Sequence, residues 1–477
     1  MGAKGELFES VESLEVSAAF TSPEIETTAA DVMPICYRTS SNGHRSRTRE
    51  TIAPSFNPKE RSVDVKSIDS FSDPDVQRCP YPLIEKMHQD APVFLDPVTG
   101  FYVVVGFADI AHVNQRTDLF SNQTSIILGV GAETPEIKEL YGTEGFPRMH
   151  TLVTNDPPSH TMYRAIVDKV FTTSFVRTLE PYFRDLADDL IDGFASKGAA
   201  DLLRDYCNRL PVYVIADQLG AGREHWEDFK KWSDTVIEMI NPKLSEEERL
   251  TLCKKHVEMQ KFIEKMRVAY SAKPQEGTLL SRLAHAEVDG RLLTPTEFNN
   301  IAEIMIVAGN ETTASTFAHC FVELVRNPTL REKLEADQSL IPNFIEEMLR
   351  LHAPSPHFYR EVLDDTELSG VPIPKGSIVM LSYLAGNYDP EKFPDPREID
   401  LDRKPIRNHL GFGRGIHFCV GHQLARAELR IGIERLLDRL KDLRFDPEFP
   451  EPALAALFHI HTVDQLMVRF TPEDVRD

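Results

Sequence analysis

The 477-residue chain contains no uninterrupted run of about 18 apolar residues, so no membrane-spanning helix is expected. Its opening, Met1-Gly-Ala-Lys-Gly-Glu-Leu-Phe-Glu-Ser10, lacks the apolar core of a secretory signal. The first thirty residues hold six Glu and no Arg, which argues against an organelle transit peptide. Positive charge is scarce: 53 Lys and Arg face 75 Asp and Glu. The formal charge of −22 disfavours nucleic acid and anionic membrane as partners. Cysteine is sparse and shows no paired spacing. Cys36, Cys79, Cys207, Cys253, Cys320 and Cys419 are therefore expected to be free thiols of a cytoplasmic protein, not a disulfide framework. There is no internal repeat, no low-complexity stretch within the globular part, and no flavin or iron–sulfur motif.

What is present is ordinary globular material, 41% hydrophobic and 27% charged. Residues 1–70 stand apart. They are first acidic and Thr/Ser-rich, then basic between Arg38 and Arg61, and are expected to be a disordered extension to a single globular domain, 71–477. Tyr81-Pro82-Leu83-Ile84 opens a helix, and Ala91–Leu95 and Phe101–Gly106 read as two strands around a turn at Asp96–Gly100. Helical periodicity dominates afterwards, so the fold class is mainly α with a small β portion. Thr294-Pro295-Thr296-Glu297 is a helix start, and Asn327-Pro328 the matching stop. The helix between them spans roughly 50 Å and is apolar on most faces, which makes it central. Ala308-Gly309-Asn310-Glu311-Thr312-Thr313 in its middle is a poor choice for a buried helix interior and predicts a local distortion there.

The run Phe412-Gly413-Arg414-Gly415-Ile416-His417-Phe418-Cys419-Val420-Gly421 places one cysteine after a glycine-bent loop, at the start of a helix from Val420 to about Lys441. The helix dipole and free N–H groups would lower the thiol pKa and make the sulfur a metal ligand. Gly413, Gly415 and Gly421 suit the close approach of something large and flat. A lone cysteine would more simply be a packing residue; Phe, three Gly and His at fixed offsets reverse that balance.

Phe-Gly-x-Gly-x-His-x-Cys-x-Gly resembles the haem-binding signature of cytochrome P-450, the haem-thiolate monooxygenases, at every fixed position, and the likeness extends over residues 70–470. The resemblance implies that family's fold, with a long central helix and a Cys-loop site for haem b. Cys419 would be the iron ligand, Phe412 would pack near its sulfur, and Gly413 and Gly415 would shape the loop. Ala308–Thr313 is similar to the family's oxygen-activation motif, with Glu311 relaying protons and Thr312 bonding the oxygen. Glu347 and Arg350, with Arg403, would form a structural ion-pair network, although Ile399 stands where the family usually has Phe. His160, Arg164, Arg360 and His417 would meet the haem carboxylates.

Substrate contacts are expected from Ser125–Met149, which has the look of a mobile lid, and from Trp226–Met239, Ile304–Ala308, Ala353–Phe358 and Leu457–His461. His357, His459 and His461 would bring polar rings near that pocket. The implied reaction inserts one atom of dioxygen into a medium-sized apolar compound, a terpenoid, steroid or aromatic, by hydroxylation or O-dealkylation. Electrons would come from a separate ferredoxin and NAD(P)H-dependent ferredoxin reductase. The segment 420–444, with six basic residues against four acidic, would be a docking patch for an acidic redox protein or simply a solvated face. A peroxide-driven enzyme and a haem-binding protein without turnover are the competing expectations.

Overall fold

The computed structural model describes residues 70–126, 133–169, 171–240, 244–275, 278–288 and 290–473. The proposed extension, residues 1–70, lies outside them but for Ser70. Ten helices carry the architecture: α1 (Tyr81–Asp90), α2 (Pro135–Thr143), α3 (Ser159–Asp168), α4 (Glu180–Asp192), α5 (Arg209–Leu219), α6 (Trp226–Glu238), α7 (Glu246–Ala272), α8 (Pro295–Arg326), α9 (Ile341–His352) and α10 (His422–Arg439). No helix among the described residues is long and apolar enough to cross a membrane.

The small β portion is two main sheets. β1 (Val93–Leu95), β2 (Tyr102–Val104), β3 (Phe120–Ser121), β5 (His357–Val362) and β6 (Ile378–Ser382) make one, in the order β1-β2-β6-β5-β3. β1 and β2 are the expected antiparallel pair, with Val93 opposite Val104. β6 joins β2 in parallel and β5 antiparallel, which fixes Arg360 opposite Val379. β4 (Ala199–Asp201), β7 (Lys441–Phe445) and β8 (Met467–Thr471) form the other sheet, in the order β7-β8-β4.

α8 is the axis. Its start is a full capping box: Thr294 Oγ1 accepts from Glu297 N–H at 3.3 Å, and Glu297 Oε2 accepts from Thr294 N–H at 2.8 Å. Its buried faces meet α5, α6, α7, α9 and α10. The core on the α5–α7 side includes Ile215, Phe229, Met259, Phe298, Ile301 and Met305. Gly309 lets α5 approach closely, because a Cβ there would lie 2.7 Å from Ile215 Cδ1. The expected distortion is absent: α8 is α-helical from Pro295 to Arg326, and the Thr312 hydroxyl is accommodated by donating to Ala308 O, one turn back, at 2.8 Å. The expectation of free thiols is corrected at one position. Cys79 is disulfide-bonded, while Cys207, Cys253, Cys320 and Cys419 are free; Cys36 lies outside the described residues.

Candidate active site

Cys419 sits where a short 3-10 turn, Gly415–His417, hands over to α10, with Gly421 as the cap. Its N–H donates to Phe412 O at 2.9 Å, closing the loop on itself. The N–H groups of Gly421 and His422 and the charges of Arg164 and Arg426 favour a thiolate, yet burial outweighs them and pushes the thiol pKa up. The sequence expectation of a lowered pKa is thus corrected for the protein by itself. Metal ligation removes the thiol proton in such a site, so the two statements are reconciled by binding.

The glycines of the loop also have a conformational reason. Gly413 and Gly415 have φ of +70° and +73°, a region that favours glycine, whereas Gly421 does not. A Cβ on Gly415 would lie 2.4 Å from the carbonyl oxygen of Asn114, while on Gly413 it would meet nothing nearer than 3.6 Å. Loop conformation therefore demands glycine at both positions, and the neighbouring chain demands it again at Gly415, while Gly413 and Gly421 also line the cavity that a flat group would enter.

Cys419 lines a cavity of about 250 Å³ together with Phe412, Gly413, His417, His160, Arg164, Arg360 and Thr312. Two guanidiniums and two imidazoles gather there from three elements: His160 and Arg164 on α3, Arg360 on β5 and His417 in the Cys loop. Arg360 is buried, makes no ion pair among the described residues, and is held by Asn114 Oδ1 at 2.8 Å and its neighbour's carbonyl, Tyr359 O, at 2.7 Å. Burial lowers its pKa. Among the described residues His160 Nδ1 and His417 Nε2 are buried without partners, and their rings lie 4.3 Å apart. Burial and then Arg360 hold His417 down at about 2; burial and then Arg164 lower His160. A buried unpaired guanidinium beside two orphaned imidazole nitrogens is costly unless an anion completes it. These residues fit a group that offers two carboxylates at its edge and an iron for Cys419. Arg164 is partly diverted, donating to Phe418 O at 2.7 Å and to Asp168 at 2.8 Å.

On the opposing wall, Ile304, Met305, Ala308, Gly309 and Thr312 of α8 face the cavity. Glu311 lies just behind them. Burial raises its pKa against the pull of Lys230, whose ammonium is 3.1 Å away on α6 and also pairs with Asp234. Nothing in the sequence pattern pointed to Lys230.

Glu347 on α9 is fully buried and takes paired bonds from Arg350, both at 2.9 Å, plus Arg403 Nε at 3.1 Å and Asp400 N–H at 3.0 Å. The two guanidiniums spend their other donors on carbonyls of Asn387, Pro394, Pro396 and Glu398. The cluster thus ties the chain leading to the Cys loop onto α9.

Of the expected substrate segments, Ile304–Ala308 and Ala353–Phe358 do reach the cavity, through Ile304, Met305, Ala308, Pro354, Ser355 and Phe358. Among the described residues, none of Trp226–Met239, Leu457–His461 or Ser125–Met149 lines it, whereas Asn122, Leu152 and Val153 do. Residues 127–132 of the expected lid lie outside the described residues. Its end is pinned: Gln260 accepts from Phe146 N–H at 2.9 Å, Asn300 accepts from Met149 N–H at 3.0 Å, and Arg148 is buried against Glu303.

The expected polar rings are packing instead. His461 Nδ1 bonds His352 O at 2.9 Å, and His319 Nε2 bonds His461 O at 2.9 Å. His319, His352 and His461 bring potential metal-binding nitrogens together. However, the His319 and His352 rings are stacked within 3° of parallel at 4.2 Å, so no single ion could lie in both ring planes.

The basic face of α10 is largely consumed internally. Arg430 pairs with Glu434 and Glu180, Arg435 with Asp188 and Asp438, and Arg439 with Asp192 and Glu473. These three arginines of the expected patch are thus ion-paired within the fold, while Lys441 and Arg444 donate to backbone carbonyls, Leu437 O and Asp442 O. Sequence reasoning also passed over Glu346, His409 and Asn114. The only hint of Glu346 was a second acid beside Glu347 on a buried helix face.

The sequence model of the family described as Cytochrome P450 matches residues 132–452. The chain is 32% identical over 386 residues to a steroid C26-monooxygenase of Mycobacterium tuberculosis (strain CDC 1551 / Oshkosh), covering 81% of this chain and 99% of that one. A vitamin D(3) 25-hydroxylase of Pseudonocardia autotrophica is 35% identical over 286 residues, 60% of this chain and 69% of the relative. The crystal structure of CYP109E1 from Bacillus megaterium in complex with testosterone superposes with a TM-score of 0.72 at 27% identity, over 84% of this chain and all of that one.

Proposed function

The chain belongs to the cytochrome P450 family, whose members bind haem b through a cysteine thiolate and act as monooxygenases, and from that premise we propose that it hydroxylates a steroid-sized apolar substrate. One atom of dioxygen enters a C–H bond. The other leaves as water with two protons, and two electrons come from NAD(P)H through a separate reductase and ferredoxin. Residues 71–477 act as one catalytic domain. Haem, when bound, supplies the oxygen-activating iron. The observation that carries the reading is the pairing of a Cys419–Arg360–His417 seat with an apolar wall from α8 and the Pro354–Phe358 loop. Relatives acting on steroids and vitamin D(3), and a neighbour holding testosterone, support the substrate class.

The residues have separable tasks. Cys419 holds the iron; Arg360, His160 and His417, with Arg164, hold the carboxylates. Thr312 Oγ1, parked on Ala308 O, is within a rotamer change of donating into the cavity. Glu311, its pKa raised by burial, can carry a proton, and Lys230 and Asp234 link it to the partly exposed face of α6. Ser355 and Asn122 are polar groups in the wall that can orient a hydroxyl or keto oxygen.

The test is spectral titration of the purified haem protein with testosterone and related sterols, followed by reconstitution with a ferredoxin and reductase. A thiolate-type Soret band in the reduced carbon monoxide complex, a sterol-induced spin shift and hydroxylated product are expected. Thr312→Ala should keep the spectrum and divert electrons to hydrogen peroxide. Absence of the thiolate band would sink the whole reading. A thiolate band with no sterol response would refute the substrate class.

A further inference from the structure

Glu346 and Glu347 are neighbours on α9, yet they serve different parts of the fold. Glu347 is spent on Arg350 and Arg403. Glu346, equally buried, turns to the Cys loop and accepts from His409 Nε2 at 2.9 Å and from Arg426 Nε and Nη2 at 2.5 and 2.9 Å. The two rings nearby are neutral by geometry. Gly411 N–H donates to His409 Nδ1 at 3.0 Å, so the ring's proton is on Nε2. Arg426 Nη1 donates to His422 Nδ1 at 2.7 Å, so that nitrogen also carries no proton. Burial opposes ionisation of Glu346, but the bonds from Arg426 and His409 outweigh it and hold the carboxyl at about 2. One anion and one cation therefore face each other in a bidentate pair. The Arg407 guanidinium stands 3.9 Å from Glu346 but is mostly in solvent, where its charge is screened.

The pair is coupled to the thiolate by contact. The Arg426 guanidinium lies 4.4 Å over the Phe412 ring, and Phe412 O is the acceptor of the Cys419 N–H. Electron uptake at a haem–thiolate adds negative charge behind this wall. A lone cation there would favour the ferrous form, a lone anion the ferric form, and the intact pair cancels.

We propose that the Glu346–Arg426 pair is the electrostatic control on the haem reduction potential, acting as a positioning pair behind the Cys419 loop and not as a stability device alone. The proposal rests on the haem seat described above.

The test uses the haem-loaded full chain and dye-mediated redox titration of the parent, E346Q, R426Q and E346Q/R426Q. The carbon monoxide spectrum serves as the control for intact ligation. E346Q should raise the midpoint potential, giving a several-fold larger ferrous fraction at fixed poise. R426Q should lower it, and the double variant should return close to the parent. Opposite shifts that cancel cannot come from loosened packing, which would move all variants the same way. Single shifts of the same sign, or no shift with the thiolate band retained, would overturn the proposal. If R426Q does not retain haem, R426K keeps the charge and must titrate like the parent while E346Q rises; a large shift in R426K refutes it equally. Absence of a thiolate band in the parent itself would instead indict the haem seat.

Discussion

Gly415→Ala separates two reasons for a glycine in the Cys loop, and Gly413→Ala is its internal control. Both positions have positive φ, +73° and +70°. An alanine at either should cost about 1–2 kcal/mol in backbone strain alone. Only at 415 does the new Cβ meet another chain segment, 2.4 Å from Asn114 O. Something must move, and Asn114 is poorly placed to yield. Its side-chain oxygen accepts from Arg360 at 2.8 Å and Tyr383 OH at 2.9 Å. Losing a charge-assisted and a neutral bond adds roughly 2–4 kcal/mol. Gly415→Ala should therefore be destabilising by roughly 3–6 kcal/mol, a large share of a typical domain's stability. It should also release Arg360 from the carboxylate cluster. The assay is haem content and the reduced carbon monoxide spectrum of both variants after matched expression, with thermal unfolding alongside. Gly413→Ala should retain haem with a modest loss of stability, and Gly415→Ala should lose haem. Equal behaviour of the two would refute the Asn114 argument and favour a requirement set by the bound group.

Two further outcomes are expected. Arg360→Met removes a buried, unpaired cation, so the haem-free protein should melt no lower than the parent, while haem transfer to an acceptor globin should accelerate roughly ten-fold or more, the worth of a charge-assisted bond; unchanged retention would exclude Arg360 from carboxylate binding. Burial pushes the Glu323 carboxyl up to about 7. Its stabilising contribution is complete below about pH 4.5 and is lost as pH rises to about 7, a swing of roughly 3 kcal/mol. Glu323→Gln should accordingly gain stability over the parent on going from pH 5 to pH 8 in paired thermal melts. A pH-independent difference would show that Glu323 ionises normally.

The sequence by itself determined the parts of this protein that are local or periodic. The capping box at Thr294–Glu297, the stop at Pro328, the β1–β2 hairpin and the loop ending at Cys419 follow from short-range rules that few residues satisfy. Family likeness then carried function to named positions. The tertiary structure alone decided everything that depends on who stands opposite. Gly415 must clear Asn114, just over three hundred residues earlier in the chain, a neighbour no local rule names. The arginines of α10 looked free because sequence shows their charge but not Asp188, Asp192 and Glu473 folded against them. Glu346 and Glu347 are indistinguishable as letters, and only their direction on α9 sends one to Arg350 and the other to Arg426. The rise in the Cys419 pKa likewise belongs to the fold, since a helix N-terminus is legible in sequence whereas the depth at which it is buried is not.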